Sequence, residues 1–228
     1  MALVDINPDL GRRAVVDTEA MEWQPSPSDS VWRKPLFRTG GESGPVTSVV
    51  SYKPGGRFSP HAHPQGEEIL VLEGTFGDDL GLYPSGTYLL NPDGSRHAPF
   101  SQEGCTLLVR LRQYAGADRP RLVVDTGRLK WLPGAARGLW VKPLYSQEGY
   151  PERMALVRWE AGVVFRRRIH RGGEEIFVLS GGFEDELGHY PRGTWIRNVQ
   201  VGEHTPYTRE GCVLYIREGG LLQDRLLA

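Results

Sequence analysis

The stretch His61-Ala62-His63-Pro64-Gln65-Gly66-Glu67-Glu68-Ile69-Leu70-Val71-Leu72-Glu73-Gly74 does two things at once. Its second half is an apolar run closed by Glu73-Gly74, the mark of a short strand. Its first half sets two histidines two residues apart, and in a strand such residues share a face, so His61 and His63 can aim at one point. Pro64-Gln65-Gly66 reads as a turn, and Glu67 returns on the neighbouring strand. Further on, Gly86 and the turn Pro92-Asp93-Gly94 lead to His97. Three imidazoles and one carboxylate around one point form a divalent transition-metal site, because imidazole suits Zn, Cu, Fe and Ni. A lone histidine in a β domain is usually a core or surface residue. The spacing of these four residues sets them apart.

The same pattern occurs twice. Val15-Val16-Asp17-Thr18 recurs as Val123-Val124-Asp125-Thr126, Trp23 and Pro25 as Trp131 and Pro133, and Trp32, Lys34, Pro35, Leu36 as Trp140, Lys142, Pro143, Leu144. From Phe58 to Arg110 the chain matches Phe165 to Arg217 without a gap, and about half of the paired positions are identical. Chance and average usage give roughly 5–7%. Two homologous domains are expected, 1–115 and 120–228, joined by Ala115-Gly116-Ala117-Asp118-Arg119-Pro120. Each repeat holds strand runs of four to six residues broken by turns, and no long stretch of helical period. An all-β sandwich or small barrel is predicted, with little helix.

The two spacings resemble a known family. HxHx3Ex6G, the first cupin motif, is met by His61, His63, Glu67 and Gly74; Gx5PxGx2H, the second, by Gly86, Pro92, Gly94 and His97. The usual closing Asn is replaced by Ser101. More narrowly, His63 to Glu68, Phe76 to Asp79, Tyr83 to Thr87 and His97 to Cys105 are similar to the ChrR-type cupins. The resemblance covers both repeats and implies two tandem double-stranded β-helix (jelly-roll) barrels, with one divalent ion (Zn, Fe, Mn or Ni, with Zn or Fe favoured) in the first. It also implies barrels that pack together, and it leaves a homodimer open. Anti-sigma factors of this branch carry an N-terminal helical zinc-binding domain, for which this chain has no matching His/Cys cluster. The same branch is similar to small metal-dependent dioxygenases that cleave diketones or hydroxyaryl ketones.

In the second repeat His63, Glu67 and His97 become His170, Glu174 and His204, while His61 becomes Arg168 and Pro92/Gly94 become Val199/Val201. Two histidines and one carboxylate match the composition of a facial triad for Fe(II). Arg168 is permanently cationic and points where the missing imidazole would. A guanidinium paired with Glu174 satisfies both charges without metal. The second site is therefore expected to be metal-free, with Arg168 as an internal cation or an anchor for an anion.

The remaining residues narrow the function. The 228 residues carry 27 Lys+Arg against 28 Asp+Glu, which gives no electrostatic reason for nucleic acid or an anionic membrane as partner. Arg166-Arg167-Arg168 is a short basic run that does not change this. No apolar run approaches the ~20 residues of a membrane span, and Met1 to Leu10 lacks a signal-peptide pattern. Two cysteines, Cys105 and Cys212, point to a reducing, cytoplasmic setting and to buried small hydrophobes. Glu68 and Glu175 face away from the motif carboxylates in solvated or ion-paired roles. Asp78, Asp79, Asp185 and Glu186 read as an acidic turn, and Trp32 and Trp140 as core or interface residues. Phe58, Tyr88, Phe100 and Arg110 are the pocket residues guessed from strand position. Two functions stay open: a metal-dependent dioxygenase acting on a small oxygenated molecule, and a metal- or ligand-binding sensor without turnover.

Overall fold

The computed structural model describes residues 4–116, 118–165, 172–199 and 204–221. Apart from one 3-10 turn at Gly41–Ser43, the regular structure among them is β. In the first unit the large antiparallel sheet runs, neighbour by neighbour, Leu122–Asp125, Thr87–Asn91, Glu67–Asp78, Cys105–Leu111, Val46–Tyr52, Val31–Arg38, Gln24–Pro25. The second unit repeats that order with Ala14–Asp17, Thr194–Asn198, Glu174–Asp185, Cys212–Glu218, Arg153–Trp159, Leu139–Ser146 and Leu132–Pro133. Each is a jelly-roll barrel.

The compact units do not follow the repeat boundary. They comprise Met1–Pro8 with Met21–Arg128, and Asp9–Ala20 with Leu129–Ala228. Ala14–Asp17 lies beside Thr194–Asn198, and Leu122–Asp125 lies beside Thr87–Asn91. The strand preceding each repeat therefore edges the barrel of the other. The repeats as expected from the sequence, 1–115 and 120–228, and the compact units thus divide the chain differently. Repeat similarity marks what was duplicated, whereas hydrogen bonding decides which barrel an edge strand joins.

Strand alternation sorts the side chains. Ile69, Val71, Leu107 and Val109 point into the first core with Val31, Tyr52, Phe76 and Leu89, and burying each aliphatic side chain contributes roughly 1.5–3 kcal/mol. Glu68, Tyr88 and Arg110 sit on the opposite face and are also buried: Glu68 accepts from the Tyr88 hydroxyl at 3.1 Å and from Arg110 Nη1 at 3.5 Å. This ion-paired cluster corrects the expectation that Tyr88 and Arg110 line the pocket. Trp32 and Trp140 are half-buried, under Lys53 and Arg158. Cys105 and Cys212 are free and buried, and burial pushes their thiols up to about 11 and about 12.

Gly74 closes the first motif for a steric reason. Its φ is 71°, and a Cβ there would lie 2.1 Å from the Gly104 carbonyl oxygen, where a bulge brings Cys105–Leu111 against Glu67–Asp78.

Candidate metal centre

The short strand His61–His63 pairs antiparallel with Ser95–His97, so that His61 lies opposite His97 and His63 opposite Ser95. Between His63 and Glu67 the chain turns sharply: Gly66 N–H bonds to the His63 carbonyl at 3.1 Å, and Gln65 takes a φ of 60° after Pro64. Asp93 holds the turn by accepting from Gln65 N–H at 2.7 Å. That turn delivers Glu67 to the start of the next strand, beside the histidine pair.

His61, His63 and His97 bring one nitrogen each within 4.8 Å of one another. His63 Nε2 and His97 Nε2 are 2.8 Å apart, close to the ~2.9 Å spanned by two nitrogens bound at right angles to one ion at ~2.0–2.1 Å. Glu67 Oε2 lies 3.5 Å from His63 Nε2 and 3.6 Å from His97 Nε2. Asn91 Nδ2 donates to the same oxygen at 2.9 Å and fixes its aim.

The outer nitrogens are held from behind. His61 Nδ1 donates to the Ser59 carbonyl at 2.8 Å, and His97 Nδ1 donates to Asp78 Oδ2 at 3.3 Å. In both rings this leaves Nε2 as the lone-pair nitrogen, the arrangement that metal-binding histidines use. Asp78 in turn accepts from the Tyr83 hydroxyl at 2.9 Å, and Arg121 donates to Tyr83 at 2.8 Å. These observations fit a metal ion.

Electrostatics agree with that fit. Burial pushes His63 down to about 3, with further lowering from His97, His61 and Arg112. His61 is lowered, chiefly by burial. Burial works against charge on His97 too, but the Asp78 hydrogen bond and the Glu67 and Asp78 charges outweigh it and raise the ring above its ordinary value. Burial raises Glu67 despite His97 and Asn91. Asp78 is lowered: burial opposes its charge, but hydrogen bonds from His97, Leu80 N–H and Tyr83 prevail. His61 and His63 are thereby held toward the neutral form, which keeps a nitrogen lone pair free for a cation.

The cluster opens onto a cavity of about 400 Å³ inside the first barrel. Apolar walls come from Val50, Ile69, Phe76, Leu107 and Val109, and Arg33, Arg38 and Ser48 add polar groups. Of the pocket residues expected from strand position, Phe58 lines this space, whereas Tyr88, Phe100 and Arg110 do not. Asp78 ends the strand at the acidic turn read from the sequence, but its side chain is buried against His97. The signal that could have found it is its pairing with Asp185, since Tyr83/Tyr190 and Arg121/Arg13 repeat with it.

In the second unit Glu174 and His204 are buried; His204 Nδ1 donates to Asp185 Oδ2 at 3.0 Å, and Asn198 Nδ2 donates to Glu174 Oε1 at 2.8 Å. Arg168 and His170 lie outside the described residues, as do Arg166, Arg167 and Val201.

Two antiparallel jelly rolls, one with a three-histidine cluster facing an interior cavity, define a bicupin. The chain belongs to the ChrR cupin-like domain family, whose profile matches residues 11–115 and again 119–222. No curated protein sequence matches it. Among solved structures it is similar to a candidate dioxygenase from Nostoc punctiforme, at 16% identity and a TM-score of 0.78, covering 93% of this chain and 84% of that one. It is also similar to a variant of salicylate 1,2-dioxygenase from Pseudoaminobacter salicylatoxidans in complex with gentisate, at 12% identity, TM-score 0.68, 97% and 85% coverage. A third likeness is to a bacterial pirin from Escherichia coli in complex with nickel(II), at 14% identity, TM-score 0.66, 91% and 99% coverage. At these identities the likeness concerns the fold.

Proposed function

We propose that the first barrel holds one divalent transition-metal ion on His61, His63, Glu67 and His97, iron or zinc before manganese or nickel, and uses it in dioxygen-dependent cleavage of a small oxygenated molecule. The observation that carries this reading is the convergence of three imidazoles on the wall of a roughly 400 Å³ interior cavity, a size that suits small ligands. An ion bound there supplies Lewis acidity and a template for an oxygen-bearing substrate, and with iron it supplies redox chemistry with dioxygen. Ser59 and Asp78 orient His61 and His97. Asn91 keeps the Glu67 carboxylate turned toward the histidines. Val50, Ile69, Phe76 and Leu107 keep the cavity apolar, so the polar groups act in a water-poor space. The buried, unpaired thiols Cys105 and Cys212 suit a reducing, cytoplasmic setting.

The test is elemental analysis of protein purified without chelator, followed by oxygen uptake on 1,3-diketones. About one iron per chain with substrate-dependent oxygen consumption is the expected outcome. The family match favours a second reading, a sensing module. Stoichiometric zinc with no oxygen consumption would support that reading and overturn catalysis.

A further inference from the structure

The strand Val31–Arg38 carries a bulge between Pro35 and Phe37, seen as a register shift against Val46–Tyr52. Residues an odd number apart on a regular strand face opposite sides, and a bulge resets that alternation. Arg33 and Arg38, five residues apart, therefore both reach the interior cavity. Arg38 is buried and Arg33 half-buried, and among the described residues neither makes an ion pair. Arg33 lies with its guanidinium carbon 5.8 Å from the Phe58 ring centroid, and that ring is 5.8 Å from His61. The cation thus stands one aromatic ring away from the metal-facing imidazoles.

Burial costs a guanidinium its hydration, and desolvation lowers the Arg33 pKa accordingly. The fold does not require this. At the matching position of the second barrel stands Val141, opposite Val157 as Arg33 is opposite Val50. Ser48 is matched there by Ala155, and both Val141 and Ala155 pack against the apolar core. Glu67 does not explain the arginines either, since His63, His97 and Asn91 already surround it.

We propose that the first barrel takes a small, largely apolar molecule bearing a carboxylate, with Arg33 and Arg38 as the carboxylate anchor and the apolar body lying along Val50, Phe76 and Leu107 toward the imidazoles. The planar guanidinium fork matches a carboxylate in shape and charge. This assigns a substrate class to the reading of the same cavity given above and rests on it.

The experiment is calorimetric titration of the full chain, as purified and after zinc loading, with benzoate and hexanoate against benzamide and hexanamide. The carboxylates should bind more tightly than the isosteric amides. Arg33→Val, which copies the second barrel, should weaken carboxylate binding roughly 10–100-fold and leave amide binding alone. The preference of the unaltered protein for carboxylate over amide keeps the test decisive if that variant does not fold. Equal binding of acid and amide, no binding of either acid, or an Arg33→Val protein that binds benzoate like the parent would overturn the proposal. The two readings fail separately. One ion per chain without carboxylate preference sinks only the anion anchor. Arg33-dependent carboxylate binding in protein without metal sinks only the proposed function.

Discussion

In the first unit His97 donates to Asp78, which accepts from Tyr83, which accepts from Arg121. In the second, His204 donates to Asp185 at 3.0 Å, Tyr190 to Asp185 at 2.6 Å and Arg13 to Tyr190 at 2.5 Å. Each arginine arrives on the segment that supplies the extra edge strand. The relay is thus part of how this barrel closes. The interiors differ. Tyr52, Arg33 and Ser48 of the first are matched by Trp159, Val141 and Ala155 of the second. Trp159 packs at a tilt against Phe165, with ring centroids 4.4 Å apart, and against Phe183 at 5.3 Å, and all three belong to the second core. The relay behind the histidine is thus common to both units, and the described side chains in front of it are what differ.

The sharpest break of that comparison is at the histidines themselves. His97→Ala should abolish stoichiometric metal, whereas His204→Ala should leave the metal content near one ion per chain. Two ions per chain in the parent, falling to one in either variant, would make the barrels equivalent and sink the asymmetry. Arg168→His should raise the count toward two if the charge at that position keeps metal out.

One step out, the aspartates separate orientation from support. Asp78→Asn should weaken metal binding roughly 10–100-fold, the usual effect of losing the group that orients a metal-bound imidazole. Asp185→Asn should leave metal affinity unchanged and cost about 1–3 kcal/mol of unfolding free energy, because His204, Tyr190 and Arg13 lose their common partner. Metal titration and denaturant unfolding read the two effects apart. Equal loss of metal affinity in both variants would contradict the division of roles.

The barrel and the histidine cluster were legible in the sequence because both rest on short-range rules. Strand alternation places His61 and His63, and the Pro64-Gln65 turn returns Glu67. Asp78 was missed because its role depends on a contact with a residue 19 positions away, and a surface turn and a buried acceptor share one sequence pattern. Tyr88 and Arg110 were misread for want of one residue of register, since a strand position one place off faces the other side. Arg33 and Arg38 were hidden by the bulge, which no composition rule announces. The exchange of Ala14–Asp17 and Leu122–Asp125 is invisible to a repeat search, because either pairing leaves the repeats equally similar.

The smallest expected effect is in the pH dependence of stability of metal-free protein. Burial, with the charges of His97, His61 and Arg112, holds His63 down to about 3. The unfolded chain regains an ordinary histidine near 6.5 and takes up a proton that the folded state refuses. Between about pH 6.5 and pH 3 the unfolded state therefore binds more protons at this residue, and stability falls as the pH falls. His97 has the opposite sign: its raised value adds stability below about 6.5 that is lost as the pH rises through its folded value. Replacing His63 with Asn should remove the acid-side loss and leave the alkaline-side loss from His97. Denaturant unfolding at pH 7 and pH 5 should show the gap between parent and His63→Asn shifting in favour of the variant, by at most about 1.4 kcal/mol per pH unit. A His63→Asn profile that tracks the parent's across that range would mean the buried histidine is protonated in the folded protein, and the electrostatic account of the first site would fall.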